Sequence, residues 1–359
     1  GLATLLLGAC AAMFQNDLKG LLAYSTVSHL GLITLLLGLD SPLAAVAAVF
    51  HTMNHATFKA SLFMSVGIVD HEAGTRDLRR LHGLWRAMPI TGTLAVVAAA
   101  AMAGVPLLNG FLSKEMFFAE AVFLEANPLV EWLLPAAATL AGVFAVVYSL
   151  RLAHGVFFGA APSDTPRAPH EPVRWMRVPV ELLVLACVVV GTLPAWSIGP
   201  LLATAARPVV GGELPPYSLA LWHGFTTPLA MSLVALIGGL AVYRRFRTRF
   251  LQRAGGGAPA LARLDGQRLF HAVHALAIRF ARVALRRLGT RRLQPQLLAM
   301  VLAAGSAGLA SALVVPLAWG DRTRVPLTPE FVLMWAVAGV CALAAARMAK
   351  FQRLAALVL

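Results

Sequence analysis

The chain has 359 residues, 59% of them hydrophobic and only 13% charged, with a mean hydropathy of +0.75. That balance excludes a soluble globular domain and predicts an all-α polytopic membrane protein. The formal net charge of +14 would suit a nucleic-acid binder, but the basic residues fall in connections between apolar runs, so they report topology and no nucleic-acid partner is expected.

Nine spans are predicted, at about 1–15, 20–39, 43–69, 88–124 (broken), 131–157, 178–203, 218–243, 296–318 and 330–349. Assigning alternate connections to two faces puts twenty-five lysines and arginines on one face and three on the other. The rich face is therefore expected to be cytoplasmic. The remaining two, Lys59 and Lys114, lie inside spans. Only four of the thirty basic residues are lysine. Arginine cannot release its proton in a protein, whereas a desolvated lysine can. An arginine-rich genome explains the composition but not where the lysines sit, and their placement points to proton exchange. Gly1 opens directly into an apolar helix and Leu359 ends in apolar sequence, which predicts a piece of a longer polypeptide, cut at both ends.

In chain order, residues 1–39 read as a helix, a polar turn (Gln15, Asn16, Asp17, Lys19) and a second helix with a hydroxyl-rich start, Tyr24-Ser25-Thr26. His29 on that helix either packs or continues a proton path. The third span carries His51, His55 and Lys59, each four residues apart, so they share a face and make a file roughly 12 Å long. Bridged by water, such a file is a proton wire, because a histidine titrates near neutrality. A structural polar interface is the plainer reading of the same helix. His51-Thr-Met-Asn-His55 lacks the glutamate of a metalloprotease helix, and Cys10, Cys187 and Cys341 are scattered through apolar runs. Neither a metal nor a redox cofactor is expected.

The loop Asp70 to Leu84, with Arg76, Arg79 and Arg80, is expected to cap the next helix or dock a partner. Then comes the stretch Gly104-Val-Pro-Leu-Leu-Asn-Gly-Phe-Leu-Ser-Lys-Glu115, whose Gly104, Pro106, Asn109 and Gly110 interrupt a span. Lys114 follows at membrane depth. An isolated charge there costs roughly 2.5–3.5 kcal/mol or more, which marks a functional site. Broken spans are also where transporters coordinate ions. A lysine snorkelling to an interface is the alternative, disfavoured by the apolar sequence on both sides. Glu115 and Glu120 lie on the second half of the span, with Glu120 too far along the helix to pair directly with Lys114.

Residues 131–158 form a helix with Arg151 and His154 near its end, and 159–177 a proline-rich charged loop. The next span begins near Glu181, placed at the interface. An outer loop covers 204–217, and the following span opens Leu221-Trp222-His223-Gly224-Phe225. Within the basic segment 246–295, Leu269, Val273, Leu276, Phe280 and Val283 recur at helical spacing between Arg279, Arg282, Arg286 and Arg287, predicting an amphipathic helix on the cytoplasmic membrane surface over 264–293. Residues 296–359 supply two closing spans and the start of a further segment.

The motifs Asp17-Leu-Lys19, Leu22-Ala-Tyr-Ser-Thr26, His51-x3-His55-x3-Lys59 and Gly110-Phe-Leu-Ser-Lys114 resemble the proton-translocating antiporter family shared by respiratory complex I and Mrp-type sodium/proton antiporters. Gly74-Thr-Arg-Asp77 with its following Arg-Arg-Leu, and Leu221-Trp-His-Gly-Phe225, are similar to the large A-type component of Mrp antiporters. The resemblance is strong over 1–245. It implies two inverted five-helix repeats, of which 1–158 would be the second, with 88–124 its broken helix and 159–245 two further spans. It assigns His51, His55 and Lys59 to a central relay and Lys114 to its terminal site; Glu115, Glu120 and His29 are subsidiary candidates. Leu107 stands where relatives often have a second proline, and His82 where they often have glycine.

The resemblance implies a non-enzymatic subunit of a hetero-oligomeric complex in the bacterial inner membrane, with other antiporter subunits and membrane lipid as its partners. It would use inward proton flow to drive sodium outward. The alternative is the distal proton-pumping subunit of a quinone-linked NADH dehydrogenase. A membrane hydrolase would need a second ligand cluster, and a scaffold would not need buried lysines.

Overall fold

The computed structural model describes residues 1–124, 127–160, 164–252, 266–288, 293–314 and 328–349. They fold into helices α1 (Leu2–Phe14), α2 (Leu18–Leu37), α3 (Pro42–Ala73), α4 (Pro89–Ala103), α5 (Asn109–Phe123), α6 (Pro128–Phe157), α7 (Arg174–Thr192), the single turn α8 (Pro194–Ser197), α9 (Gly199–Val210), α10 (Thr227–Gln252), α11 (Gly266–Leu288), α12 (Leu293–Val314) and α13 (Pro329–Met348). Six of these (α2, α6, α7, α10, α12 and α13) are long and apolar enough to cross a membrane. The chain is an all-α, multi-pass membrane protein. Two compact units are present, 1–267 and 268–359.

In the first unit α3 is the axle, packed by α2, α4, α5, α7 and α9. At 32 residues it is about 48 Å long, well beyond a 30 Å hydrocarbon core. Its ends are defined locally. The Ser41 hydroxyl accepts from Ala44 N (3.3 Å), Pro42 holds the first turn, and Gly74 closes the helix at φ +69°. Asp17 caps α2 through Gly20 N (2.7 Å), and Asn127 caps α6 through Val130 N (3.0 Å).

The expected cap from the 70–84 loop onto the next helix is replaced by one from farther along the chain. Glu171 accepts from Ile90 N (2.6 Å), Thr91 N (3.0 Å) and the Thr91 hydroxyl (2.9 Å), supplying a carboxylate where α4 has free amides. The 70–84 loop instead ties down the α1–α2 turn. Leu18 N donates to Arg76 O (3.0 Å), Leu78 N to Asn16 O (2.8 Å), Arg76 pairs with Asp17, and Lys19 with Asp70 (2.7 Å). Arg79 grips Asp77 and holds its carboxyl below the usual carboxylate range.

Two spans differ from the sequence expectation. The run 178–203 is not one helix: α7 ends at Thr192, and α9 is separate. Pro194 disfavours helical geometry at Leu193, which sits at φ −128°, ψ 54°. The outer loop thereby shortens, since α9 runs to Val210. Likewise Leu221 to Phe225 lies outside any helix, and α10 begins only at Thr227. Glu181 is 4.0 Å from Arg177 across one helical turn.

In the second unit the apolar stripe of α11 (Leu269, Val273, Leu276, Phe280, Val283) is exposed, as are the apolar windows of α12 and α13. The charges assigned at 253–265, 291–292, 322–324 and 350–353, the end of the expected span beyond 314 and the segment 350–359 lie outside the described residues.

Candidate functional site

Four buried side chains from four helices form one hydrogen-bonded row. The Tyr148 hydroxyl on α6 is 3.2 Å from His29 Nε2 on α2. His29 Nδ1 is 3.0 Å from His51 Nε2 on α3, and His51 Nδ1 is 3.0 Å from the Ser113 hydroxyl on α5. Ser113 reaches Gly110 O at 3.4 Å. His51 and Ser113 are fully enclosed, and His29 and Tyr148 nearly so. These positions accept either sense of donation. Tyr148 can donate to His29, His29 to His51, and His51 to Ser113; or each donor and acceptor can exchange roles along the whole row. A chain of neutral groups with two complementary orientations is what proton hopping requires, and imidazole is the side chain suited to it.

The two lysines flank this row. Lys59 donates to the Ser25 hydroxyl and to Leu22 O (3.2 Å). Ser25 lies one turn before His29 on α2, so the Lys59 rung is adjacent to the His29 rung. Lys114 follows Ser113 directly and donates to Met102 O (2.7 Å) and Ala103 O (2.8 Å). Those carbonyls are free because α4 stops at Gly104, at φ +85°, and so cannot receive helical partners. Neither lysine has a carboxylate partner among the described residues. A cavity of about 20 Å³, lined by His29, Ser28, Lys114, Phe117 and Tyr148, lies between Lys114 and the row. That is room for one water.

The break itself spans 104–108. Leu107 adopts φ +69°, a left-handed conformation costing an L-residue roughly 1–2 kcal/mol. A proline, fixed near φ −65°, would not take it, so this break differs from one built around a second proline. Past it, Gly110 lies against the Ala101 carbonyl so closely that a Cβ there would collide with it.

Of the residues that stand out in the sequence, His29 and His51 are directly bonded. His51, His55 and Lys59 share one face of α3, yet none bonds another of the three. His55 Nε2 has no hydrogen-bond partner among the described residues, and its ring lies 5.2 Å from that of His29 and 5.6 Å from that of Phe58. The links run across helices. Glu115 and Glu120 lie away from the row. Glu120 accepts from the Ser41 hydroxyl (3.0 Å). Both carboxylates line a cavity of about 280 Å³ with Phe123, Tyr217 and His223. His223 thus overhangs α5 from the 211–226 segment. Tyr148 and Ser113 join the row and Ser25 meets Lys59, although the sequence singles out none of the three as a candidate. Their signal is a polar group inside an apolar helix, but a single sequence carries no register between helices.

Residues 1–141 match the family described as NADH:quinone oxidoreductase/Mrp antiporter, TM. The whole chain is 59% identical over 366 residues to the A/B component of a probable K(+)/H(+) antiporter from Rhizobium meliloti, covering 36% of that protein. The A component of a Na(+)/H(+) antiporter from Alkalihalophilus pseudofirmus is 40% identical over 270 residues, or 68% of this chain and 33% of its own length. The Mrp complex from Dietzia sp. superposes on 99% of this chain, and on 38% of the matching chain, with a TM-score of 0.67 at 34% identity. The chain therefore spans about a third of the length of the curated relatives it matches.

Proposed function

We propose that this chain, whose residues 1–141 belong to the NADH:quinone oxidoreductase/Mrp antiporter transmembrane family, is one proton-handling part of the large subunit of a multisubunit monovalent-cation/proton antiporter. Residues 1–158 act as one antiporter-like repeat, and the other subunits of the complex are its partners. The observation that carries this reading is the buried row Tyr148–His29–His51–Ser113, flanked by Lys59 and by Lys114 at a broken helix.

Each group has a role that its surroundings support. The cavity bearing Glu115, Glu120 and His223 is the aqueous mouth on one side of the membrane. Lys114, with no counter-ion among the described residues, accepts and releases a proton. A water in the small cavity beside it passes that proton to the His29 end of the row. His55, with a free ring nitrogen next to His29, closes the step to Ser25 and Lys59 by reorienting. Inward proton flow along this path drives the cation outward, sodium being the exchanged ion in the leading reading. Potassium is the other choice, because the relatives' names divide between the two ions. A redox-driven pump subunit would use the same relay, but both curated relatives are named as antiporter components.

The test separates charge from proton exchange at Lys114. Arginine keeps the charge but cannot release a proton. In everted vesicles carrying the assembled complex, both Lys114→Arg and Lys114→Ala are expected to abolish cation/proton exchange. An arginine variant that exchanges at the normal rate would end the relay reading.

A further inference from the structure

At the end of the first unit where α1, α6 and α10 meet, a cavity of about 290 Å³ opens among His82, Arg151, His154, Phe158, Tyr243 and Arg247. Its charge is of one sign. Arg151 is only 3% exposed. Its guanidinium donates to the Met13 carbonyl and to Asn16 Oδ1 (2.9 Å), and it lies 5.5 Å over the Phe250 ring. All three partners are neutral. Arg247 at the mouth is exposed, and among the described residues no carboxylate comes within ion-pair distance of Arg151, Arg247, His82 or His154. The nearby acids are engaged elsewhere: Asp17 with Arg76, Asp77 with Arg79, Asp164 with Arg80.

That arrangement is unusual for a buried arginine, because a desolvated charge is normally paired. Elsewhere in this molecule the rule holds: Arg177, also largely buried, has Glu171 at 3.6 Å and Glu181 at 4.0 Å. Arg151 spends two of its five N–H donors on neutral oxygens, so the fork retains donors toward the cavity. Tyr243 and His154, joined at 2.9 Å, add a hydroxyl and a second ring nitrogen.

We propose that this cavity binds the phosphate group of an anionic membrane phospholipid, which supplies the counter-charge that no described residue gives Arg151. Arg151 forms the floor, Arg247 closes the mouth, and the joined Tyr243–His154 pair offers one donor from the side, the hydroxyl or the ring Nε2–H according to the imidazole tautomer. The position favours a lipid over a free ion. The cavity lies where the apolar stretch of α10 gives way to Arg244, Arg245, Arg247 and Arg249. This is headgroup depth, and basic pockets between spanning helices hold anionic headgroups there. Leu78 and Phe158 give its wall an apolar side against which acyl carbon can lie.

The test uses the full-length protein in the membranes that carry it. Diazirine-bearing phosphatidylglycerol and phosphatidylcholine with matched chains are photolysed, and cross-links are mapped onto 147–159 and 241–249. Phosphatidylglycerol is expected to label these segments preferentially. Arg247→Gln, at the exposed mouth and outside the core, is expected to reduce that labelling about tenfold, the loss of one charge-assisted hydrogen bond. Arg151→Lys keeps the charge but loses the planar fork, and should reduce labelling with the protein still folded. Millimolar inorganic phosphate serves as competitor. If it leaves the labelling intact, the occupant is lipid; if it displaces the probe, the site is a phosphate site filled from solution. Equal labelling by the two lipids, unchanged in both variants and indifferent to phosphate, would overturn the proposal.

Discussion

At the scale of single residues, the relay candidates are unequal, and geometry ranks them differently from their spacing in the chain. His29 holds two of the three side-chain links in the row, whereas His55 Nε2 holds none. His29→Ala is therefore expected to slow proton exchange more than His55→Ala, measured as cation-induced proton movement in vesicles. Removing His29 also strands a buried ring nitrogen of His51, at a cost of about 1–3 kcal/mol. Thermal stability of the complex must be read alongside, and His29→Gln, which can hydrogen-bond without titrating, should restore stability but not rate. A His55 variant more damaged than either His29 variant would show that protons do not follow the row. The titratable members are legible in sequence because a charge or imidazole in an apolar run stands out. Their partners are not. Tyr148 is 119 residues from His29, and only packing brings them together.

At the scale of elements, the break between α4 and α5 sets where Lys114 and Ser113 point. Its existence is legible, since Gly104, Pro106 and Gly110 sit within six residues of one another in an otherwise apolar run. Its shape is not, because it depends on Leu107 taking a left-handed conformation that sequence rules discourage. Gly110 is needed for proximity: the start of α5 rests on the Ala101 carbonyl. Gly110→Ala is expected to push the two half-helices apart and destabilise by about 1–3 kcal/mol, as overpacking does. Because Ser113 and Lys114 lie one turn later, exchange should fall with it. Normal melting and normal exchange in Gly110→Ala would mean that the close approach is dispensable. The same logic explains why the run 178–203 divides. Hydropathy continues across it, but Pro194 and Pro200 fix the stops that separate α7 from α9.

At the scale of the whole first unit, long-range contacts sort the connections into two ends. Asp17 meets Arg76, Lys19 meets Asp70, Arg80 meets Asp164 and Phe14 packs on Phe250, so the turns at 15–19, 70–88 and 164–173 and the end of α10 share one end. At the other, Ser41 meets Glu120, and the 211–226 segment overlies α5. The first end carries the arginines apart from Arg207 in the last turn of α9, and 38–42 and 211–226 contain no lysine or arginine. By the positive-inside bias, the first end is expected to face the cytoplasm and the Glu115–Glu120–His223 cavity to face outward. Single-cysteine labelling checks this in a background where Cys10, Cys187 and Cys341 are replaced. Gly83 is a poor probe site, being buried at φ +63°. Arg86 and Glu213 are exposed, and no hydrogen bond or ion pair holds either side chain among the described residues. An impermeant maleimide added to spheroplasts is expected to label Glu213→Cys and to spare Arg86→Cys until the membrane is opened. The reverse pattern would invert the molecule, and with it the proton path: Lys114 would then face the cytoplasmic mouth, and inward proton flow would have to reach Lys59 first.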